Sequence, residues 1–261
     1  MSTFSGLRAA DSWLEYEKDD RVSLAMCERE ALVFGLQAEL PVRLRSDFAT
    51  SRMLSQFSER VQGVRLTEPA LYSAVPTIAR ALGKYPVSLI KSQLEEICLF
   101  EWLSNQGVPM GGTYEKRTIF LAAGVMVNDK GLEKTFHHEF SSLFLNSYGD
   151  EAFRKNWEKV NEGQRYMGAD ARIDVLAARP EHLPNATSEA LNAEGFIMNY
   201  SKSTLENDFN TLAGEVMTEP KRFATLMSKH KRLRQKYELW LSLMVKASSE
   251  FKVPIPINKQ P

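Results

Sequence analysis

The stretch that decides the expected fold is Phe136-His137-His138-Glu139-Phe140-Ser141-Ser142-Leu143-Phe144. Its apolar side chains recur with the i, i+4, i+7, i+8 spacing of one helical face. Its polar residues fall on the neighbouring faces. The stretch therefore predicts an amphipathic helix that carries a histidine and a glutamate beside its buried face.

His138 and Glu139 match the first half of the His-Glu-x-x-His zinc motif. In that motif two histidines one helical turn apart bind the metal, and the glutamate between them is the general base. Ser142 holds the position of the second histidine. His137 lies about 100° round the helix from His138, so the two rings cannot easily reach one ion. The segment indicates the architecture of a zinc hydrolase with an altered ligand set.

The composition is that of a globular protein without a charge preference. The 261 residues are 43% apolar and include 33 basic and 33 acidic side chains, a balance that argues against a dedicated binder of nucleic acid or anionic membranes. Cys27 and Cys98 provide neither zinc-finger spacing nor a disulfide framework. No apolar run of about 18 residues exists, so no membrane span is expected.

The beginning of the chain bears on its compartment. Residues 1–25 lack the apolar core of a signal peptide, which is typical of a cytoplasmic chain. A secreted protein or a lipoprotein whose leader has been trimmed would look the same, so both of these alternatives stay open.

Helical spacing, turn residues and prolines predict the remaining elements. Helices are expected at 21–34, 48–61, 69–82 and 153–160, and strands at 94–103 and 118–121. Residues 177–200 are expected to be irregular. Ser203-Thr204-Leu205-Glu206 has the pattern of a capping box that opens another helix. A long helix is expected to follow from Pro220, with a basic stretch that includes Lys236 on its solvated face.

The order of these segments resembles that of the zinc-binding metallopeptidases of the gluzincin type, to which the catalytic domain of anthrax lethal factor is distantly related. The resemblance covers residues 85–245 and implies an α+β, mostly helical fold with a small sheet packed on the His-Glu helix. It also implies an N-terminal helical extension, residues 1–60, and one continuous zincin-like domain, residues 61–261. The motifs that carry it are Gly111-Gly112, 117–121, 135–140, Trp157-x-x-x-Asn161 with Tyr166, 195–201 and 206–209.

The resemblance also implies the roles of single residues. His138 would be a metal ligand, Glu139 the general base and Asp208 the carboxylate ligand. Tyr200 would donate a hydrogen bond to the oxyanion. Ser142 would stand at the second ligand position, where a neutral hydroxyl is a poor zinc ligand.

Alternatives remain open for two of these roles. Glu206 and Glu215 are further candidates for the carboxylate ligand, although Glu206 is expected to be engaged in the capping box. His137, His182 and His230 are candidates for the missing imidazole. These alternatives do not change the expected position of the site, which is the helix that carries His138.

Two functional hypotheses follow. The first is a metallopeptidase that hydrolyses peptide bonds by a metal-activated water with Glu139 as base, impaired by Ser142 and with zinc bound weakly or not at all. The alternative is a catalytically inactive zincin fold, a pseudoenzyme that binds a peptide or protein partner. In both cases no nucleic acid is expected as a partner.

Overall fold

The computed structural model describes residues 42–45, 61–66, 68–105, 107–124, 126–168 and 187–256. The chain divides into two compact units, residues 1–140 and 141–261. The helix predicted at 21–34 lies outside the described residues. So does the helix predicted at 48–61, except for Val61, which begins a strand.

The first unit contains a mixed sheet in which the long strand β3 is central. It lies parallel to β1 and β6 and antiparallel to β2 and β4, and β5 lies antiparallel to β6. Strands β3 and β6 confirm the two predicted strands. The described strands are β1 (Arg43–Arg45), β2 (Val61–Arg65), β3 (Glu96–Asn105), β4 (Val108–Met110), β5 (Gly112–Glu115) and β6 (Thr118–Ala122).

The pairing of β3 with β6 forms the core of the first unit. All five residues of β6 are buried, as are the first five of β3, which is typical of parallel strands covered on both faces. Cys98 lies opposite Phe120 in the register. Both belong to an apolar cluster with Phe100, Leu103 and Ala122.

Among the described residues of the first unit, helices begin at Glu68, Val87 and Asp129: α1 (Glu68–Leu82), α2 (Val87–Gln93) and α3 (Asp129–Tyr148). Helix α1 confirms the predicted helix at 69–82 and includes Pro76. Helix α3 contains the whole His-Glu stretch and continues into the second unit. Its first turn is capped by Asn128, whose Oδ1 accepts a hydrogen bond from the amide of Gly131.

The second unit is helical among its described residues. Large aromatic side chains fill its core, including Trp157, Phe209 and Trp240. Helix α4 confirms the helix predicted at 153–160. After the end of α3 come α4 (Glu151–Val160), α5 (Glu189–Ala193), a 3-10 helix (Asn199–Lys202), α6 (Leu205–Thr218), α7 (Pro220–Lys229) and α8 (Lys231–Ala247).

Helix α5 corrects the expectation of an irregular segment at 177–200. The Ser188 hydroxyl accepts a hydrogen bond from the amide of Leu191 and caps the helix. Gly195, with a φ of +89°, follows its end, and glycine adopts this backbone conformation readily. A five-residue helix is too short to leave a periodic pattern in the sequence.

Two further expectations about the second unit were wrong in detail. The cap of α6 is Thr204, whose hydroxyl accepts from the amide of Asn207, whereas the Ser203 hydroxyl donates to the carbonyl of Tyr200. The long helix expected from Pro220 is two helices, because His230 has an extended backbone with φ −121° and ψ 102°.

The described residues form an α+β fold that is mostly helical and has a small mixed sheet, as predicted. Strand β1 belongs to the segment predicted as an N-terminal extension and pairs with β3. The boundary between residues 60 and 61 stays a prediction. None of the helices in the described part of the chain is long and apolar enough to cross a membrane.

Candidate functional site

The His-Glu stretch lies in the middle of α3, as the sequence predicts. His138 is half-buried, Glu139 is buried with 8% of its surface exposed, and His137 is fully buried. Adjacent helical residues point about 100° apart, so His137 and His138 have different surroundings. His138 and Glu139 are the two residues of the predicted site that belong to the first unit.

His137 belongs to a buried polar cluster. Its Nδ1 lies 2.8 Å from the Tyr85 hydroxyl, and its Nε2 lies 3.7 Å from Oε1 of Glu133. The contact with Tyr85 has hydrogen-bond length, whereas the distance to the carboxylate is that of an electrostatic contact. Glu133 also pairs with Arg80 and Lys84. His137 is therefore a structural histidine of the first unit.

The protonation of this cluster follows from its burial. Desolvation lowers the pKa of His137 to about 4, although the nearby Glu133 carboxylate opposes this shift. Burial by itself would raise the pKa of Glu133, but the nearby His137 ring, Lys84 and Arg80 together lower it to about 2. At neutral pH the imidazole is neutral and the carboxylate is charged.

Strand β5 lies against α3 at Glu139. A Cβ added to Gly112 would come within 2.9 Å of Cγ of Glu139 and of Cγ2 of Thr135. Gly111 is also close to Thr135, since its added Cβ would be 3.2 Å from the hydroxyl oxygen. The Gly111-Gly112 pair thus lets an edge of the sheet approach the helix at the predicted general base.

Ser142, at the second ligand position, is engaged by an amide. Its Oγ accepts a 2.6 Å hydrogen bond from Nδ2 of Asn210 on α6. Ser142 is fully buried and Asn210 is 2% exposed. Oδ1 of Asn210 has no hydrogen-bond partner among the described residues. This neutral pair joins α3 to α6 within the second unit.

Asp208, the predicted carboxylate ligand, is the centre of a buried network. Its Oδ2 accepts hydrogen bonds from Nε1 of Trp157 at 2.9 Å and from the Tyr166 hydroxyl at 2.7 Å. It also accepts one from Nζ of Lys236 at 2.6 Å. Nζ donates in addition to the carbonyl of Gly195 and lies 4.1 Å from the centroid of the Phe196 ring. Asp208 is thus part of an internal ion pair.

Burial and pairing act in opposite directions on this ion pair. Desolvation raises the pKa of Asp208, while Lys236 and the donors from Tyr166 and Trp157 oppose that rise. Desolvation lowers the pKa of Lys236, and the charge of Asp208 opposes this shift. Each charge is tolerated in the core because the other is present.

The remaining candidates lie elsewhere in the second unit. Tyr200 is in the 3-10 helix and is half-buried. Glu206 is half-buried in the first turn of α6, and buried Glu215 pairs with Arg222. Nε2 of His230 lies 3.2 Å from Oε1 of Glu189. His182 lies outside the described residues, and the predicted assignment of site residues stays a prediction.

The donor atoms of Ser142 and Asp208 do not fit a zinc ion. Zinc prefers thiolate, imidazole or carboxylate ligands with free lone pairs. Ser142 offers a neutral hydroxyl that already accepts from Asn210, and Oδ2 of Asp208 accepts from an ammonium group. Within the described ranges, no cluster of three or more His, Cys, Asp or Glu side chains could hold a metal.

Comparison with known proteins shows the fold. No protein-family model matches the chain, and no curated protein matches it. It is similar to the crystal structure of a "putative zinc-binding metallo-peptidase" from Bacteroides caccae. The TM-score is 0.52, and the match covers 89% of each chain at 14% sequence identity.

The chain has a metallopeptidase-like fold. At 14% identity the likeness extends to the fold and does not transfer the role of any residue. The geometry around Ser142 and Asp208 therefore has to be interpreted from this chain's own side chains. A zinc site is made of imidazole and carboxylate ligands. In this chain Ser142 is instead bonded to an amide, and Asp208 is paired with a lysine.

Sequence reasoning missed the partners that engage the predicted ligands. Lys236 was placed on a solvated face, but it is fully buried. A signal was present, because Lys236 shares the spacing of the buried residues Leu233, Tyr237 and Trp240 on α8. A lysine on an apolar face needs a buried acceptor. Asn210 had no comparable signal, since α6 is buried on nearly all sides.

Proposed function

We propose that the protein uses its metallopeptidase-like fold to bind a peptide or protein partner without hydrolysing it through a metal-activated water. The observation that carries this proposal is the hydrogen bond between Ser142 and Asn210. It puts a neutral hydroxyl, already occupied by an amide donor, at the position where the His-Glu-x-x-His motif needs an imidazole.

The surroundings of Asp208 support the same conclusion. A zinc ion at Asp208 would compete with Lys236 for the carboxylate, and displacement of Lys236 would leave an ammonium group in a fully buried site. Leaving a buried charge without its partner costs about 3–5 kcal/mol. The ion pair therefore competes with any metal for Asp208.

The edge of the sheet supplies a surface for a partner. Among the described strands, β5 pairs only with β6, and we propose that a partner adds a strand at the other side of β5. An extended peptide that joins such an edge gains main-chain hydrogen bonds, and the side-chain pockets next to it set specificity. Because β5 lies against α3, these pockets would include Thr135 and Glu139.

Peptide hydrolysis is the second candidate function, and the position of Glu139 favours it. This carboxylate lies beside Gly112 at the edge of the sheet, where a bound peptide would pass. A general base at this place could activate water only if another group polarised the carbonyl.

A cleavage assay separates the two candidates. Wild-type protein and Glu139→Gln are incubated with fluorescein-labelled casein, with added zinc and with a chelator. The variant keeps the shape of the side chain and removes the base. We expect the same background signal from both proteins under both conditions. Zinc-dependent cleavage by the wild type that Glu139→Gln abolishes would contradict the proposal and establish the second candidate.

A binding assay tests the surface. Random peptides displayed on phage are selected on the wild-type protein, and the affinity of an enriched peptide is measured by fluorescence polarisation. Gly112→Ala should weaken this binding by about tenfold or more, since its Cβ forces β5 away from Glu139. Gly131→Ala in the same unit is the control and should bind normally. If Gly112→Ala and Gly131→Ala bound the peptide with equal affinity, β5 would not be the edge to which the peptide binds.

A further inference from the structure

The geometry of zinc coordination identifies which residue of α6 faces the second ligand position. Each ligand atom of a zinc site lies about 2 Å from the ion, so two ligand atoms lie within about 4 Å of each other. Asn210 meets this condition, because its Nδ2 is 2.6 Å from Oγ of Ser142.

Asp208 lies on a different side of the same helix. Two residues of separation correspond to a rotation of about 200°, which places Asp208 and Asn210 on nearly opposite faces of α6. The contacts agree with this arrangement. Asp208 bonds to Trp157 and Lys236, while Asn210 bonds to Ser142.

We infer that Asn210, and not Asp208, occupies the carboxylate-ligand position of the metallopeptidase-like fold, and that the Ser142–Asn210 hydrogen bond replaces two metal ligands with a neutral pair. This inference rests on the proposed function and deepens it. According to this inference, the chain differs from a zinc site at two side chains, Ser142 and Asn210.

The chemistry of the pair explains how the fold could dispense with the ion. Asparagine has the size of aspartate, but its Nδ2 is a donor and cannot bind a cation. Opposite the Ser142 hydroxyl, this donor has an acceptor, so Nδ2 and Oγ satisfy each other. The pair can thus connect α3 to α6, as two ligands of one metal would. The unpartnered Oδ1 of Asn210 is the cost of this exchange.

The test rebuilds the two ligands. Ser142→Cys replaces the hydroxyl with a thiol and adds less volume to the fully buried site than an imidazole would, and Asn210→Asp changes the amide to a carboxylate. Zinc affinity is measured by competition with a chromophoric chelator. Cobalt is used as a second probe, because thiolate ligation and tetrahedral geometry give characteristic absorption bands.

The double variant Ser142→Cys/Asn210→Asp is compared with each single variant and with Ser142→Cys/Asn207→Asp. Asn207 is the matched control, because it lies on the same helix and donates to Ser203 instead. Mutation of a residue that only hydrogen-bonds to a metal ligand changes metal affinity by about 10–100-fold. We expect Asn210→Asp to raise the zinc affinity of Ser142→Cys by about 100-fold or more, and Asn207→Asp to leave it unchanged.

Two results would overturn the inference. One is zinc binding by Ser142→Cys alone that is as tight as binding by the double variant, which would mean that another side chain supplies the carboxylate. The other is an equal gain from Asn207→Asp. If the double variant fails to fold by circular dichroism, Asn210→Asp alone takes its place. Zinc should then raise its unfolding midpoint but not that of the wild type, and equal midpoints would count against the inference.

Failure of the inference can be told apart from failure of the proposed function. Tight stoichiometric zinc in the wild-type protein, with zinc-dependent cleavage of casein, would contradict the proposed function. A metal-free wild type together with a double variant no better than Ser142→Cys would refute only the assignment of Asn210.

Discussion

Nζ of Lys236 lies 2.6 Å from Oδ2 of Asp208, and both side chains are almost wholly inaccessible to solvent. The two residues belong to α8 and α6 and are 28 positions apart in the chain. An ion pair buried in this way depends on both members, because either charge alone would face a low-dielectric core.

Removal of Lys236 should strongly destabilise the protein. Lys236→Met keeps the length of the side chain but leaves Asp208 charged and buried. The free energy of unfolding in urea should fall by about 3–5 kcal/mol. Lys155→Met removes an exposed lysine that pairs with Glu151, and it should change the free energy by less than about 1 kcal/mol. Similar losses for the two variants would show that Asp208 does not need its partner.

The hydrogen bond that Trp157 donates to Asp208 should stabilise the protein in addition to the packing of the indole ring. Trp157→Phe removes the Nε1–H that bonds to Asp208. Trp240→Phe is the matched control, since Trp240 is also buried and its Nε1 has no hydrogen-bond partner among the described residues. Both variants lose similar volume. Trp157→Phe should cost about 1–3 kcal/mol more in chemical denaturation. The hydrogen bond would be energetically unimportant if the two losses agreed.

Stability should fall in mild acid because of His137. Its pKa is about 4 in the folded protein and near its ordinary value of 6.5 when unfolded, so between these values the unfolded chain binds the extra proton. The free energy of unfolding should therefore decrease as the pH falls from 6.5 to 4, by at most about 1.4 kcal/mol per pH unit. Above pH 6.5 this residue should contribute no slope.

His137→Gln provides the comparison, because glutamine does not titrate. Urea denaturation at a series of pH values should give a shallower decline between pH 6.5 and 4 for the variant than for the wild type. Glu133, whose pKa is lowered from 4.5 to about 2, adds a further loss as the pH falls through that lower range. Parallel pH profiles for both proteins would mean that His137 is not the group responsible.

Local patterns predicted most of the elements that were long enough to show them. Helix α3 has a clear apolar face, and β3 and β6 are apolar runs between turn residues, so their positions followed from the side chains. Helix α5 was missed because it is short. The break at His230 was missed because the flanking residues continue a helical pattern through it, and the extended backbone there is not encoded in that periodicity.

The local sequence is enough to place His138 and Glu139 on α3, one turn before a serine, since helical spacing requires only local order. The choice between Asp208 and Asn210 was decided by tertiary structure alone. Periodicity places these two residues on opposite faces of α6, but it does not say which face meets Ser142 and which meets Lys236. That depends on how helices far apart in the chain pack, because a buried charge and a buried amide are stable only where a distant partner satisfies them.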